Sequence, residues 1–382
     1  MEIAKSLLKE LKVLRREIHQ YPELSGEEYE TRDRLLNFIR LFDPDDIYMM
    51  GETGLAIAFN GEQEGPVIHF RAELDALPID EINDFSYKSR NDGVSHKCGH
   101  DGHMTIVAGL SRLFAENPPS RGRVVLLFQP AEEDGRGAVS IFNDPKFDQI
   151  KPDYVFAFHN LPGFDMHQIV YKSGTFTAAA KSLIIKLIGK TSHAAEPEKG
   201  INPAYVISGI LEKSKQIVQS NPEKKEFSLI TPVYMKAGEP GAYGVSAGCG
   251  DLRLTLRSFS NKTMNILTDK LIEIIHSLAK EHDVEVAVDE TESFQANMND
   301  EESVEIVKNA AKEMNADTRE ISFPFKWGED YGVFTEKFPG AMFGIGSGRD
   351  QPALHNPDYD FPDELIQTGM KMFYGISKQI LK

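Results

Sequence analysis

The chain has 382 residues, with 59 acidic and 42 basic side chains and a formal net charge of -17. Hydrophobic residues make up 41% and charged residues 26%, ordinary usage for a soluble globular protein, which excludes a disordered chain, a fibre or a coiled coil as the main state. Phosphate contacts need basic patches, so a balance this negative argues against nucleic-acid binding and suits a cytoplasmic protein. The length corresponds to roughly two to three domains, enough to bury an ample core without disulfide or metal staples.

No apolar run is long enough to span a membrane. The first ten residues, Met1 to Glu10, mix apolar and charged side chains at helical spacing, where a signal peptide would need a continuous apolar stretch. The two cysteines, Cys98 and Cys249, read first as buried thiols of a reducing compartment. That expectation is kept for Cys249.

In chain order, Ile3, Leu7, Leu8, Leu11, Leu14 and Ile18 define one face of a first helix, and Leu35, Leu36, Phe38 and Ile39 mark a second. Four short apolar runs follow, Gly54 to Phe59, Val67 to Phe70, Val124 to Phe128 and Tyr154 to Phe158. Their unbroken apolarity predicts strands buried on both faces, as in a parallel sheet. Asp101 is placed to cap a helix through Met104, Val107, Leu110 and Phe114.

The pattern changes near Ala180. Strands are predicted for Lys181 to Gly189, Phe227 to Met235, Leu252 to Leu256 and Val284 to Val288, with helices over Asn202 to Ser220 and Asn261 to Glu281. This is a βαββαβ, ferredoxin-like order. After about Met298 the α/β pattern resumes, with a helix from Glu301 to Met314, a strand from Ala341 to Ile345 and a last helix from Asp363 to Ile380. The expected fold class is therefore α/β: a mainly parallel sheet flanked by helices, with an inserted ferredoxin-like α+β domain. The expected boundaries are 1–179 and 291–382 for the larger domain and 180–290 for the insertion.

In open α/β sheets functional groups gather beyond the carboxyl ends of strands. Arg71-Ala72-Glu73-Leu74-Asp75, Gln129-Pro130-Ala131-Glu132-Glu133, His159-Asn160 and Gly346-Ser347-Gly348, with His355 shortly beyond, occupy such places. The densest cluster is Ser95-His96-Lys97-Cys98-Gly99-His100-Asp101-Gly102-His103. Cys98 and His100 are two residues apart, so an extended segment points both to one side, and thiolate with imidazole suits zinc and similar ions. A surface histidine cluster beside a buried cysteine is the competing reading. His103 is expected to pair with a carboxylate. Adjacent Glu132 and Glu133 diverge in an extended loop, so that one can bind a metal while the other acts as a base, the division that metal-assisted hydrolysis requires. A solvated acidic loop is the alternative. On spacing alone His159 and His355 read as structural residues, His193 as a turn histidine and Gly344 to Gly348 as a tight turn.

Together these segments resemble the di-metal amidohydrolases that include hippurate hydrolase, N-acyl-amino-acid amidohydrolases, N-acetyldiaminopimelate deacetylase and plant auxin-conjugate hydrolases, relatives of aminoacylases and zinc carboxypeptidases. The resemblance runs from Arg16-Glu17-Ile18-His19-Gln20-Tyr21-Pro22-Glu23-Leu24-Ser25 through Arg71 to Pro78, Lys97 to His103, Phe128 to Glu133, Ala157 to Asn160, Gly189 to Pro203 and Gly328-Glu329-Asp330 to Leu354-His355-Asn356. It implies that Cys98, His100, Glu133, His159 and His355 ligate two divalent ions, zinc or manganese foremost, with nickel or cobalt as options. It further implies Glu132 as general base, Asp75 as a residue orienting a ligand, and the insertion as a lid that forms a homodimer or higher oligomer. His193 would reach a neighbouring subunit's site and stabilise the oxyanion, and Arg257 would hold the substrate's carboxylate. The family's usual asparagine thirteen residues before that arginine is Gly244 here, and Glu73 stands where distant relatives have a metal-binding histidine. The implied activity is hydrolysis of N-acyl amino acids, small molecules, with no nucleic acid or membrane as partner. A dipeptidase or carboxypeptidase is the enzymatic alternative, and a catalytically silent dimeric binding protein is the alternative from another class.

Overall fold

The computed structural model describes residues 2–382. From the N-terminus the chain forms α1 (Lys5–Gln20), α2 (Tyr29–Ile39), β1 (Asp46–Met50), β2 (Gly54–Asn60), β3 (Gln63–Glu73), α3 (His100–Glu116), β4 (Arg121–Gln129), α4 (Gly137–Phe142), β5 (Tyr154–Pro162), β6 (Ile169–Tyr171) and β7 (Gly174–Thr177). It continues as β8 (Ala179–Ile188), β9 (Ser192–His193), α5 (Ala204–Ser214), β10 (Ser228–Ala237), β11 (Val245–Ser246), β12 (Cys249–Ser258), α6 (Asn261–Glu281) and β13 (Glu285–Phe294). The remainder is β14 (Asn297–Asn299), α7 (Glu301–Glu313), β15 (Thr318–Glu320), α8 (Gly332–Thr335), β16 (Gly340–Gly348) and α9 (Leu365–Ile380).

These elements pack as two compact units, one of residues 2–176, 297–322 and 330–382, the other of 177–296 and 323–329. In the first unit eight strands form one sheet in the order β1-β2-β4-β3-β5-β16-β6-β15. The central pairs β4–β3, β3–β5 and β5–β16 are parallel. β2 is buried along almost its whole length, yet it runs antiparallel to β4. Unbroken apolarity reports burial on both faces and not strand direction, so the parallel pairing expected for Gly54 to Phe59 is corrected. Along β3, Ile68, Phe70 and Ala72 enter the core built with α1, α2, α3, α7 and α9, while Arg71 and Glu73 alternate with them. Phe70 meets Phe373 of α9 with ring centroids 4.7 Å apart.

The glycine-rich stretch Gly344 to Gly348 belongs to β16 rather than to a tight turn. A Cβ at Gly344 would come within 2.1 Å of Leu161 Cδ1, and glycine admits the neighbouring strand.

The second unit has a four-stranded antiparallel sheet in the order β10-β12-β8-β13, with α5 and α6 between strands in the βαββαβ order. Leu183, Ile185, Leu252, Leu254 and Leu256 are buried against apolar positions of those helices, such as Ile210, Leu271 and Ile275. The expected helix Asn202 to Ser220 is shorter. Asn202 accepts from the Ala204 N–H at 2.9 Å at its start, and beyond Ser214 the Gln219 carbonyl accepts instead from the Ser228 N–H at 2.8 Å. The last strand is longer than Val284 to Val288, because β13 pairs with β8 from Glu285 to Phe294. Cys249, expected to be buried, is exposed. It opens β12 opposite Ile188, itself on the outer side of the sheet, so strand alternation turns the thiol outward.

Candidate metal centre

The Cys98–His100 segment is held by charge. Asp101 receives Arg15 Nη1 at 3.0 Å and His19 Nδ1 at 2.8 Å, and His19 Nε2 reaches Glu81 Oε1 at 3.0 Å. Lys97 Nζ donates to the same Glu81 oxygen at 2.5 Å and to the Tyr359 carbonyl at 2.8 Å. These groups are buried, where an unpaired charge would be costly, so the network fixes the loop against α1. Gly99 turns the chain into α3 with φ of 92°, and a Cβ there would lie 2.7 Å from Asn160 Oδ1. The side chains of Cys98 and His100 thereby converge on His159 within β5.

There, Cys98 Sγ lies 3.5 Å from His159 Nε2. The donor atoms of Cys98, His100 and His159 all fall within 4.8 Å of one another, as do those of Cys98, Glu133 and His355, and those of His100, Glu132 and Glu133. His100 Nε2 is 3.9 Å from Glu132 Oε2 and 3.8 Å from Glu133 Oε1, and His355 Nε2 is 3.7 Å from Glu133 Oε1. His355 sits in the left-handed region at φ of 65°, uncommon for a non-glycine residue, with its N–H bonded to the Lys97 carbonyl at 2.8 Å. The structure thus brings together six side chains taken from four separate stretches of sequence.

Hydrogen bonds decide which nitrogens face the centre. His159 Nδ1 contacts the Asn160 carbonyl and His100 Nδ1 the Asp75 carbonyl, each at 2.9 Å. A carbonyl only accepts, so both Nδ1 atoms carry a proton and both Nε2 atoms point inward. His100 Nε2 is buried and has no hydrogen-bond partner among the described residues. Burial opposes protonation of His100, yet its hydrogen bond to Asp75 and the charges of Glu73 and Glu133 outweigh it and push its pKa up to about 10. Without a cation beside it, His100 is therefore held in its protonated form by the surrounding carboxylates. Burial holds His159 down at about 3, keeping it neutral. Asp75 stays ionised against the penalty of burial, through His100, the Glu133 N–H and the Ser25 hydroxyl. Thiol, inward imidazole nitrogens and clustered carboxylates form a donor set that fits divalent cations.

Several expectations change in detail. Glu132 is buried rather than part of a solvated loop. His159 lies within β5 and not beyond its end. The histidine cluster is not on the surface, since His96, His100 and His103 are all buried. His103 pairs with a carboxylate as expected, its Nδ1 lying 2.7 Å from Glu73 Oε2. Glu73 is thereby committed to His103 and to Arg71, which also bonds it.

His193 and Arg257 lie in the second unit. His193 is exposed on β9, paired with Val245, and its Nδ1 accepts from the Ala195 N–H at 3.0 Å. The Gly244 carbonyl accepts from the Ala194 N–H at 2.9 Å, so the position where an asparagine was expected adjoins His193. A Cβ at Gly244 would meet no atom within 4 Å. Arg257, on β12, places Nη1 3.4 Å from the Lys326 carbonyl.

Residue-by-residue reading missed the buried Asn160, Gln129, Asp330 and Tyr359. The first three stand in the resembling motifs without a role, and Tyr359 carried no signal.

Thiol, imidazole and carboxylate donors, with Cys98, His100 and His159 buried and His355 exposed, beside a second carboxylate are the groups that a metal-dependent hydrolase uses. Residues 69–379 match the model of peptidase family M20/M25/M40, and the chain belongs to that family. It is a hydrolase of amide bonds. Hippurate hydrolase of Campylobacter jejuni is 28% identical over 376 residues, covering 98% of this chain and 97% of that protein. N-acetyldiaminopimelate deacetylase of Ligilactobacillus salivarius is 30% identical over 372 residues, covering 97% and 96%. Among solved structures, a Bacillus subtilis dinuclear metal-binding peptidase of the M20 family superposes with a TM-score of 0.83 at 23% identity, covering 99% of each chain.

Proposed function

We propose that the protein hydrolyses the amide bond of N-acyl amino acids, with Cys98, His100, Glu133, His159 and His355 holding two divalent ions. When bound, the ions polarise the scissile carbonyl and lower the pKa of water toward about 7. Glu132, whose Oε2 lies 3.9 Å from His100 Nε2 beside Glu133 Oε1 at 3.8 Å, takes the proton of the attacking water and delivers it to the leaving nitrogen. Asp75 orients His100 through the bonds around Nδ1. His193 stabilises the oxyanion, in a neighbouring subunit's site, and Arg257 binds the carboxylate of the substrate. The relatives named for hippurate and N-acetyldiaminopimelate support an N-acyl amino acid as substrate.

The inserted unit serves as lid and dimer contact in this reading. Exposed Val233, Met235, Tyr243 and Val245 on that unit support a contact with a second copy. A cytoplasmic location accords with the charge balance, and no described helix is long and apolar enough to cross a membrane.

The single observation that carries the proposal is the approach of Cys98, His100 and His159 donor atoms within 4.8 Å, with Glu132 against the same imidazole. The test is Glu132→Gln, assayed on acetyl, benzoyl and dipeptide substrates with metal supplied. We expect unchanged metal content and a turnover about 10²- to 10⁴-fold lower. Wild type and variant equally inactive across the panel would instead indicate a binding protein.

A further inference from the structure

We propose that Asp330 is a positioning residue for Glu132. The inference rests on the reading of Glu132 as the base. Asp330 is 1% exposed, and its carboxylate is gripped by three donors. Arg71 Nη2 lies 2.6 Å from Oδ1, Gln129 Nε2 lies 2.9 Å from Oδ1 and 2.8 Å from Oδ2, and the Ala138 N–H donates to Oδ2 at 2.8 Å. Buried charge-assisted bonds of this kind fix the main chain that carries them. From that main chain the Asp330 N–H reaches Glu132 Oε1 at 3.4 Å.

The two adjacent glutamates are thus steered by different aspartates. Glu133 is set through its backbone, whose N–H donates to Asp75 Oδ2 at 2.9 Å. Glu132 is set through its carboxylate, which faces the Asp330 N–H. Asp330 is also the first residue of the first unit after the segment 323–329, which packs with the other unit. The carboxylate bonds to Arg71, Gln129 and the Ala138 N–H anchor this backbone donor. The same guanidinium that holds Asp330 also holds Glu73, which meets His103 Nδ1 at 2.7 Å. His103 in turn contacts Asn160, the neighbour of His159. The anchor is therefore continuous with the buried groups behind the metal ligands.

A base must lie within hydrogen-bond reach of the proton it takes, and displacement by about 1 Å can cost about 100-fold in rate. The test is a double-mutant cycle in the full-length, metal-loaded enzyme. Asp330→Asn keeps the shape and removes the charge that grips the three donors. We expect kcat to fall about 10- to 100-fold, with KM within about twofold and metal content unchanged. In a Glu132→Gln background the same substitution is expected to change the residual rate by less than about twofold, because Asp330 acts through Glu132. A purely structural role would lower the rate by the same factor in both backgrounds. That result, an unchanged kcat, or a loss that tracks metal content overturns the proposal.

Where Asp330→Asn does not yield folded protein, Gln129→Met removes two of the contacts at similar length and is read by the same cycle, with the same supporting and overturning results. If Glu132→Gln retains wild-type turnover, the assignment of the base falls and this proposal with it. An additive cycle on an impaired Glu132→Gln enzyme overturns the role of Asp330 alone.

Discussion

Cys98 Sγ and His159 Nε2 lie 3.5 Å apart although 61 positions separate them in sequence. A thiolate and a neutral imidazole lone pair at this separation can share one cation, and binding the cation favours both of those protonation states. Cys98→Ser keeps the size of the side chain and removes the soft ligand. We expect elemental analysis to show metal below wild-type stoichiometry and turnover at least about 100-fold lower at limiting metal. Full metal content and full activity in this variant would remove Cys98 from the ligand set.

Asp75 acts at one remove. It contacts His100, receives the Ser25 hydroxyl at 2.7 Å and receives the Glu133 N–H at 2.9 Å, so it orients two proposed ligands at once. Asp75→Asn is expected to weaken metal affinity about 10- to 100-fold while leaving the fold intact. A competition titration with a chromophoric chelator measures this directly, and an unaltered affinity would confine Asp75 to a packing role.

Removal of metal should be visible in stability. The carboxylates of Asp75, Glu73 and Glu133 favour positive charge at His100, and a cation that binds the native state alone stabilises it by mass action. Chelated protein is expected to unfold at a lower temperature, and adding metal at about 100 times its Kd should restore about 2.7 kcal/mol. Equal melting temperatures for chelated and reloaded protein would contradict this.

Acid should destabilise the protein in part through His69, on β3. Its Nε2 faces the Ile150 carbonyl at 2.5 Å, and burial, helped by the charge of Arg123, lowers its pKa from 6.5 to about 4. The unfolded chain takes up this proton at a higher pH than the native state does. The stability contributed by a neutral His69 is therefore fully present above about pH 6.5 and is lost as pH falls toward about 4. Between pH 7 and pH 5 the loss amounts to at most about 2 kcal/mol. His69→Gln keeps a donor for the carbonyl without a titrating ring, and should show a shallower decline in urea unfolding over that interval. Parallel declines for variant and wild type would exclude His69 as a source of the acid sensitivity.

Much of this protein is determined locally by its sequence. Periodicity marks α1, because a half-buried helix imposes its repeat on the side chains, and an unbroken apolar run marks β2, because both of its faces are buried. The motifs around Cys98, Glu132, His159 and His355 carry the donor types, because ligation depends on the chemistry of single side chains. Only the tertiary structure decided the rest. Strand direction at β2, the shortening of α5 at Ser214 and the exposure of Cys249 depend on partners distant in the chain, which no local window contains. The same holds for which imidazole nitrogen faces inward, since carbonyls of Asp75 and Asn160 fix the protons of His100 and His159. Residue identity sets what a group can do. Long-range packing sets which atom is presented, at what distance and with what charge.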